Sequence, residues 1–200
     1  MIETPGATFS IPDSVSAYLS DPAIRAGVDA LLDVNEGALP PELELSEFGD
    51  YLAARAAAGL TKLEWAVMVH SLWNTIWAPL VQKPWTFSSL DELVDEDIAI
   101  TPSECWASES FQMYHRQGEY ILRTAVLVER RKTSVAFSIE TNDGGVLIGE
   151  DIDKFVWKDD DYWNGWLMFS VETSPAEHDF KLAKLQDAAR HAMELVREAM

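Results

Sequence analysis

The chain has 200 residues, 48% of them hydrophobic and 10% aromatic, enough apolar material for a folded core and against intrinsic disorder. Thirty-four acids against fifteen bases leave a net charge of −19, and a single cysteine, Cys105, excludes an internal disulfide framework and any Cys₂ or Cys₄ zinc site. No run approaches the ~18 apolar residues of a membrane span, and Met1-Ile2-Glu3-Thr4-Pro5 lacks the basic and apolar regions of a signal peptide, so a cytoplasmic protein is expected.

The N-terminal half reads helical. Asp21-Pro22 starts a helix, with Pro at the first position, where its missing N–H is harmless. Ile24, Val28, Leu31 and Leu32 follow at helical spacing until Asn35 and Gly37. Pro40-Pro41 marks a connection. A second helix is expected from Pro41 to Ala58, with Leu45, Phe48, Leu52 and Ala56 on one face and Gly59 as its stop. Thr61-Lys62-Leu63-Glu64 has the form of a capping box and opens a third, strongly apolar helix. Trp65, Met68, Val69, Leu72, Trp73, Ile76, Trp77 and Leu80 span an arc of about 180° on it, as expected of a central core helix. Pro79 and Pro84 bound it.

Residues 85–104 read as an acidic connection containing Asp91, Glu92, Asp95, Glu96 and Asp97, with room for a short helix capped by Ser88 or Ser89. The period then changes from 3.6 to 2. Phe111, Met113 and His115 alternate with polar residues, Gln117-Gly118 is a turn, and Leu122, Thr124, Val126 and Val128 alternate with Arg123, Ala125 and Leu127. Val135, Phe137 and Ile139 form the next strand, and Asn142-Asp143-Gly144-Gly145 is a hairpin signal because those residues tolerate positive φ. Phe155–Trp157 and Trp166–Val171 are two more apolar stretches. Ser174-Pro175-Ala176-Glu177 resembles a second capping box, opening a helix to the C-terminus with Leu182, Leu185, Ala189, Ala192, Met193 and Val196 on one stripe.

The fold class expected is therefore α+β: a helical subdomain over 1–84, the connection 85–104, and over 105–200 an antiparallel β-meander of five or six strands with the C-terminal helix packed on the sheet. The whole is expected to form one compact domain.

Recognisable catalytic motifs are missing: there is no P-loop, dinucleotide glycine fingerprint, nucleophile elbow or HExxH. His70 reads as a core histidine, His115 lies near a turn, and His178 and His191 occupy the last helix facing water. A Cys105–His115 dyad would need the fold to join the two residues, and a small buried thiol is the commoner use of a lone cysteine. Glu104, Glu109 and Glu119 are candidate acid–base carboxylates. Asp151, Asp153 and Asp159-Asp160-Asp161 offer oxygen ligands without EF-hand spacing, so no metal and no cofactor are expected.

Charge is the strongest functional signal. Residues 1–60 carry ten acids and two bases, 61–118 eight and three, 119–177 twelve and six, and 178–200 four of each. Such a field repels nucleic acid and anionic membranes and attracts basic partners. Nineteen charges equal those on about 32 Å of duplex DNA, comparable with the ~40 Å breadth of a compact body of this length. The solubility of an acidic surface is the competing explanation. The densest acidic–aromatic segment runs from Phe155 to Trp166; the expected contact residues are Asp159, Asp160, Asp161, Tyr162 and Trp163, with Asp91, Glu92, Asp95, Glu96 and Asp97. Trp157 and Trp166 could alternatively be cross-strand core neighbours.

The resulting expectation is a non-enzymatic acidic protein that binds a basic surface of a protein partner, in its sharpest form a nucleic-acid mimic blocking a DNA- or RNA-targeting defence enzyme, as an anti-CRISPR or anti-restriction protein does. An immunity protein or secretion-type chaperone is the first alternative. A small enzyme or ligand-binding module with a pocket under the sheet is the second.

Overall fold

The computed structural model describes residues 11–32, 44–87, 110–129, 131–159, 163–174 and 180–200. Four α-helices and a six-stranded antiparallel sheet are present among them, so the chain is α+β. The helices are α1 (Asp13–Ser20), α2 (Pro22–Leu32), α3 (Phe48–Ile76) and α4 (Leu182–Ala199). The strands are β1 (Thr86–Phe87), β2 (Ser110–Gln117), β3 (Tyr120–Val128), β4 (Lys132–Thr141), β5 (Val156–Lys158) and β6 (Trp166–Glu172).

Asp21 separates α1 from α2. Its backbone N–H donates to the Ala17 carbonyl at 2.9 Å, ending α1, while its carboxylate accepts the Ala23 N–H at 2.8 Å, starting α2. The short α1 seals the core with Val15, Tyr18 and Leu19, all buried. By contrast α2 buries no residue fully; Val28 only rests on the core edge, and Ile24 is exposed. A polar junction ties it to α3. The Tyr18 hydroxyl donates to Asp29 at 2.8 Å, and the Lys62 ammonium reaches Asp29 at 3.0 Å and Tyr18 at 2.5 Å.

The two helices expected over 41–58 and from Thr61 are one. Helix α3 continues through Gly59, and the Thr61 hydroxyl donates back to the Ala57 carbonyl at 3.1 Å instead of capping a new helix. Propagating an existing helix costs less than stopping it and nucleating another, so a glycine and a threonine are carried inside it. The expected face of Phe48, Leu52 and Ala56 does not meet the core: all three are exposed. The second half behaves as its apolar arc implied, burying Trp65, Met68, Val69, Leu72, Trp73, Ile76 and Trp77.

Spatial strand order is β1-β2-β3-β4-β6-β5, all pairs antiparallel. The first four strands form a meander, but β6 returns beside β4 and leaves β5 at the edge. The fourteen-residue excursion 142–155 frees β6 to take the longer pairing, and β5 keeps three residues. Leu122, Val126, Val135, Phe137, Ile139 and Leu167 face α3 and α4 and share one core with α1. Two indoles anchor α3 to this face: Trp77 Nε1–H donates to the Ala125 carbonyl at 2.9 Å and Trp73 Nε1–H to Thr124 Oγ1 at 3.0 Å. On the opposite face Ala125, Ala136, Trp166 and Met168 form a smaller cluster.

The capping box expected at Ser174 does not start the last helix. Lys181, at a positive φ of 52°, precedes Leu182, and this left-handed residue interrupts helical continuity with anything before it. Residues 175–179 lie outside the described residues. Arg197 occupies the last turn, where a cation meets the negative helix end.

Candidate interaction surface

The surface in question begins where β4 ends. The turn Asn142-Asp143-Gly144-Gly145 closes through Gly144 N–H to the Thr141 carbonyl and Thr141 N–H to the Gly145 carbonyl, each at 2.9 Å, with Gly144 at φ 85°. The Asp143 carboxylate accepts the Thr141 hydroxyl and the Gly145 N–H, which holds its pKa below the ordinary aspartate value. The chain then pairs briefly back on β4: Glu140 bridges Val146, and Leu147 N–H donates to the Ile139 carbonyl at 2.9 Å.

From there the backbone turns at Asp153, at φ 51°, into the edge strand β5. The Asp151 carboxylate accepts the Trp157 N–H at 2.7 Å and so fixes the entry to β5. Asp153 contacts His191 of α4 at 2.7 Å, and His191 also meets Glu194 at 3.1 Å. The Glu194 hydrogen bond first, and Asp153 second, raise the His191 pKa, which stacks on Phe155 at 6.2 Å.

This rim combines two features. Asp143, Glu150, Asp151 and Asp159 are exposed, and among the described residues none of them makes an ion pair. Beside them in the chain Val146, Leu147 and Val156 are exposed as well, Val156 at 50%. Residues 142–159 hold five acids against Lys154 and Lys158, and Lys154 lies over the Phe169 ring at 5.4 Å.

Of the expected contact residues, Asp159 is exposed on this rim at the end of β5. Trp163 is half-buried: its ring meets Trp166 edge-on at 5.3 Å, in the smaller cluster. Asp91, Glu92, Asp95, Glu96, Asp97, Asp160, Asp161 and Tyr162 lie outside the described residues, as do Glu104, Cys105, Glu109 and His178. Trp157 and Trp166 are not cross-strand neighbours. Trp157 pairs with Leu167 and packs on the main core, whereas Trp166 pairs with Lys158 and lies on the opposite face. The three exposed aliphatic residues were not singled out from sequence; the signal available was a valine–leucine pair directly after a glycine turn.

The histidines exchange roles. His70 is exposed, 3.2 Å from Asn74 and against the Phe111 ring at 4.5 Å, because it sits just off the buried arc of α3. His115 is the buried one, 5% exposed, and burial pushes its pKa down to about 4. Glu119 is exposed in the β2–β3 turn. A cavity of about 290 Å³ opens between Leu80, Trp85, Gln117, Met193 and Arg197. Its lining, among the described residues, contains no carboxylate side chain, histidine or cysteine. No group of three metal-ligating side chains occurs among the described residues, and no described helix is long and apolar enough to cross a membrane.

No family model, curated protein or solved structure matches the chain.

Proposed function

We propose that this chain is a non-enzymatic acidic protein that docks on a cationic surface of a partner protein, using the rim formed by residues 142–159. The observation that carries the reading is the group Glu150, Asp151 and Asp159: exposed, without cationic partners among the described residues, and interspersed with exposed Val146, Leu147 and Val156. Apolar side chains supply desolvated contact area, while surrounding carboxylates steer and orient lysine or arginine on the partner. A net charge of −19 enlarges the capture radius for a basic partner and repels nucleic acid. A cleft that ordinarily holds nucleic acid is the partner class whose charge density this surplus fits. The chain would then act as an inhibitor by occupying such a cleft in a DNA- or RNA-targeting defence enzyme.

The test is affinity capture on the immobilised chain, followed by titration calorimetry with the captured partner at rising NaCl. Binding should weaken with salt, and reversing Glu150 and Asp159 to lysine should weaken it about tenfold or more. An affinity unchanged from low to high salt, or retained by the double reversal, would overturn the reading.

A further inference from the structure

His191 holds both of its ring nitrogens against carboxylates. Nε2 lies 2.7 Å from Asp153 Oδ2, on the turn that leads into β5, and Nδ1 lies 3.1 Å from Glu194 Oε2, about one turn ahead on α4. An ionised carboxylate only accepts, and a neutral imidazole has one N–H and one lone pair. Both contacts are therefore hydrogen bonds only when both nitrogens carry protons, so the arrangement is that of the imidazolium. Glu194 first and Asp153 second hold the ring protonated above the ordinary histidine range.

A tight turn presents Asp153. Ile152 N–H donates to the Phe155 carbonyl at 3.1 Å and Phe155 N–H to the Ile152 carbonyl at 2.9 Å, with Asp153 at φ 51°. A non-glycine residue in that region is uncommon, and here its side chain is the one that reaches α4. Phe155 closes the turn, is buried, and stacks on His191 at 6.2 Å. Other charged groups around the ring are engaged elsewhere. Lys154, on the same turn, lies over the Phe169 ring at 5.4 Å and opposes the proton. Asp187, about one turn back on α4, pairs with Arg190 at 2.7 Å. Strands β4 and β6 reach this region through Phe137 and Phe169, both packed on Phe155.

We propose that the proton shared by Asp153, His191 and Glu194 gates the charge that the rim offers to a cationic partner. With it, one imidazolium stands against two carboxylates and ties the turn to α4. When the proton passes to water, the neutral ring has one N–H for two acceptors. One contact then becomes a lone pair facing an anion and opens. The freed carboxylate adds to Glu150, Asp151 and Asp159, so docking tightens as pH rises through the His191 titration and weakens in acid. This consequence rests on reading residues 142–159 as the contact surface; the shared proton does not.

Nuclear magnetic resonance on the full chain tests both parts. Both His191 ring nitrogens should show protonated shifts up to a midpoint above 6.5, and that midpoint should fall toward 6.5 in Asp153→Asn and in Glu194→Gln. N-acetylated tetralysine, a cationic probe, is then titrated at pH 6 and pH 9 in about 20 mM NaCl, its affinity read from the methyl shifts of Val146, Leu147 and Val156. Binding should be about twofold tighter at the higher pH, the effect of one charge about 10 Å away in water, and the gain should vanish in His191→Gln. A midpoint at or below 6.5, or one that neither carboxylate variant moves, overturns the shared proton. Methyl shifts that report equal affinity at both pH values overturn the gating and leave the docking surface standing. Methyl shifts that ignore the peptide at both pH values overturn the docking surface, and the gating with it.

Discussion

His115 couples one buried ring to the acid stability of the molecule. Its Nε2 lies 3.3 Å from Thr124 Oγ1, its ring stacks on Trp73 at 5.8 Å, and the Trp73 indole donates to the same hydroxyl oxygen. Burial penalises the imidazolium, so the folded chain takes up this proton only near pH 4. An unfolded histidine takes it up near 6.5. The stability attached to the neutral ring is therefore intact above pH 6.5 and drains away as pH falls toward 4. The full shift corresponds to about 3 kcal/mol. Urea unfolding should show wild type losing about that much more than His115→Gln between pH 6.5 and 4. Proton resonances of His115 titrating near pH 6.5 in the folded chain would contradict it. The sequence marks His70 as the core histidine because it borders the apolar arc of α3; the alternation of Phe111, Met113 and His115 already sets position 115 on an apolar strand face, and the pairing places it opposite Leu122.

At the scale of elements, the clearest departure from sequence expectation is Gly59. Read locally, glycine followed by Thr-x-x-Glu signals a stop and a new start; inside a 29-residue helix it is a weak link. A Cβ added at Gly59 meets nothing within 4 Å, and the backbone there is helical. Gly59→Ala should therefore stabilise the protein by about 0.5–1 kcal/mol, read as a higher urea midpoint at unchanged slope. If Gly59 instead ended a helix in the left-handed conformation, the same substitution would destabilise. Other elements were legible to different degrees. Strands β2, β3 and β4 announce themselves by alternation, and the turn at 142–145 by its residues. Helix α1 was missed because eight residues with no side-chain cap give almost no local signal; its identity comes from Val15, Tyr18 and Leu19 reaching the core. The insertion of β6 between β4 and β5 is a contest between two strands for one edge, which alternation within each cannot decide. The rim was half legible: acidic residues can be counted, but the exposure of Val146 and Val156 depends on that strand order.

For the molecule as a whole, the balance of charge sets the response to ionic strength. Ion pairs exist among the described residues, such as Arg123 with Glu140 and Lys62 with Asp29, but fifteen bases cannot match thirty-four acids. Folding gathers the surplus into a body about 40 Å across, where the carboxylates repel one another more than in the expanded chain. Exposed ion pairs lose little on screening, since each contributes at most about 1 kcal/mol, whereas the repulsion is summed over the whole surface. Salt should thus stabilise this fold, with most of the gain reached by about 0.1–0.2 M, where the Debye length falls to about 10 Å. Differential scanning calorimetry should show Tm rising by several degrees between roughly 10 and 150 mM NaCl, since about 1 kcal/mol shifts Tm by 2–4 °C at this chain length. A Tm that falls over this range would mean that attractive pairs outweigh the surplus, and that the carboxylates are already matched within the chain.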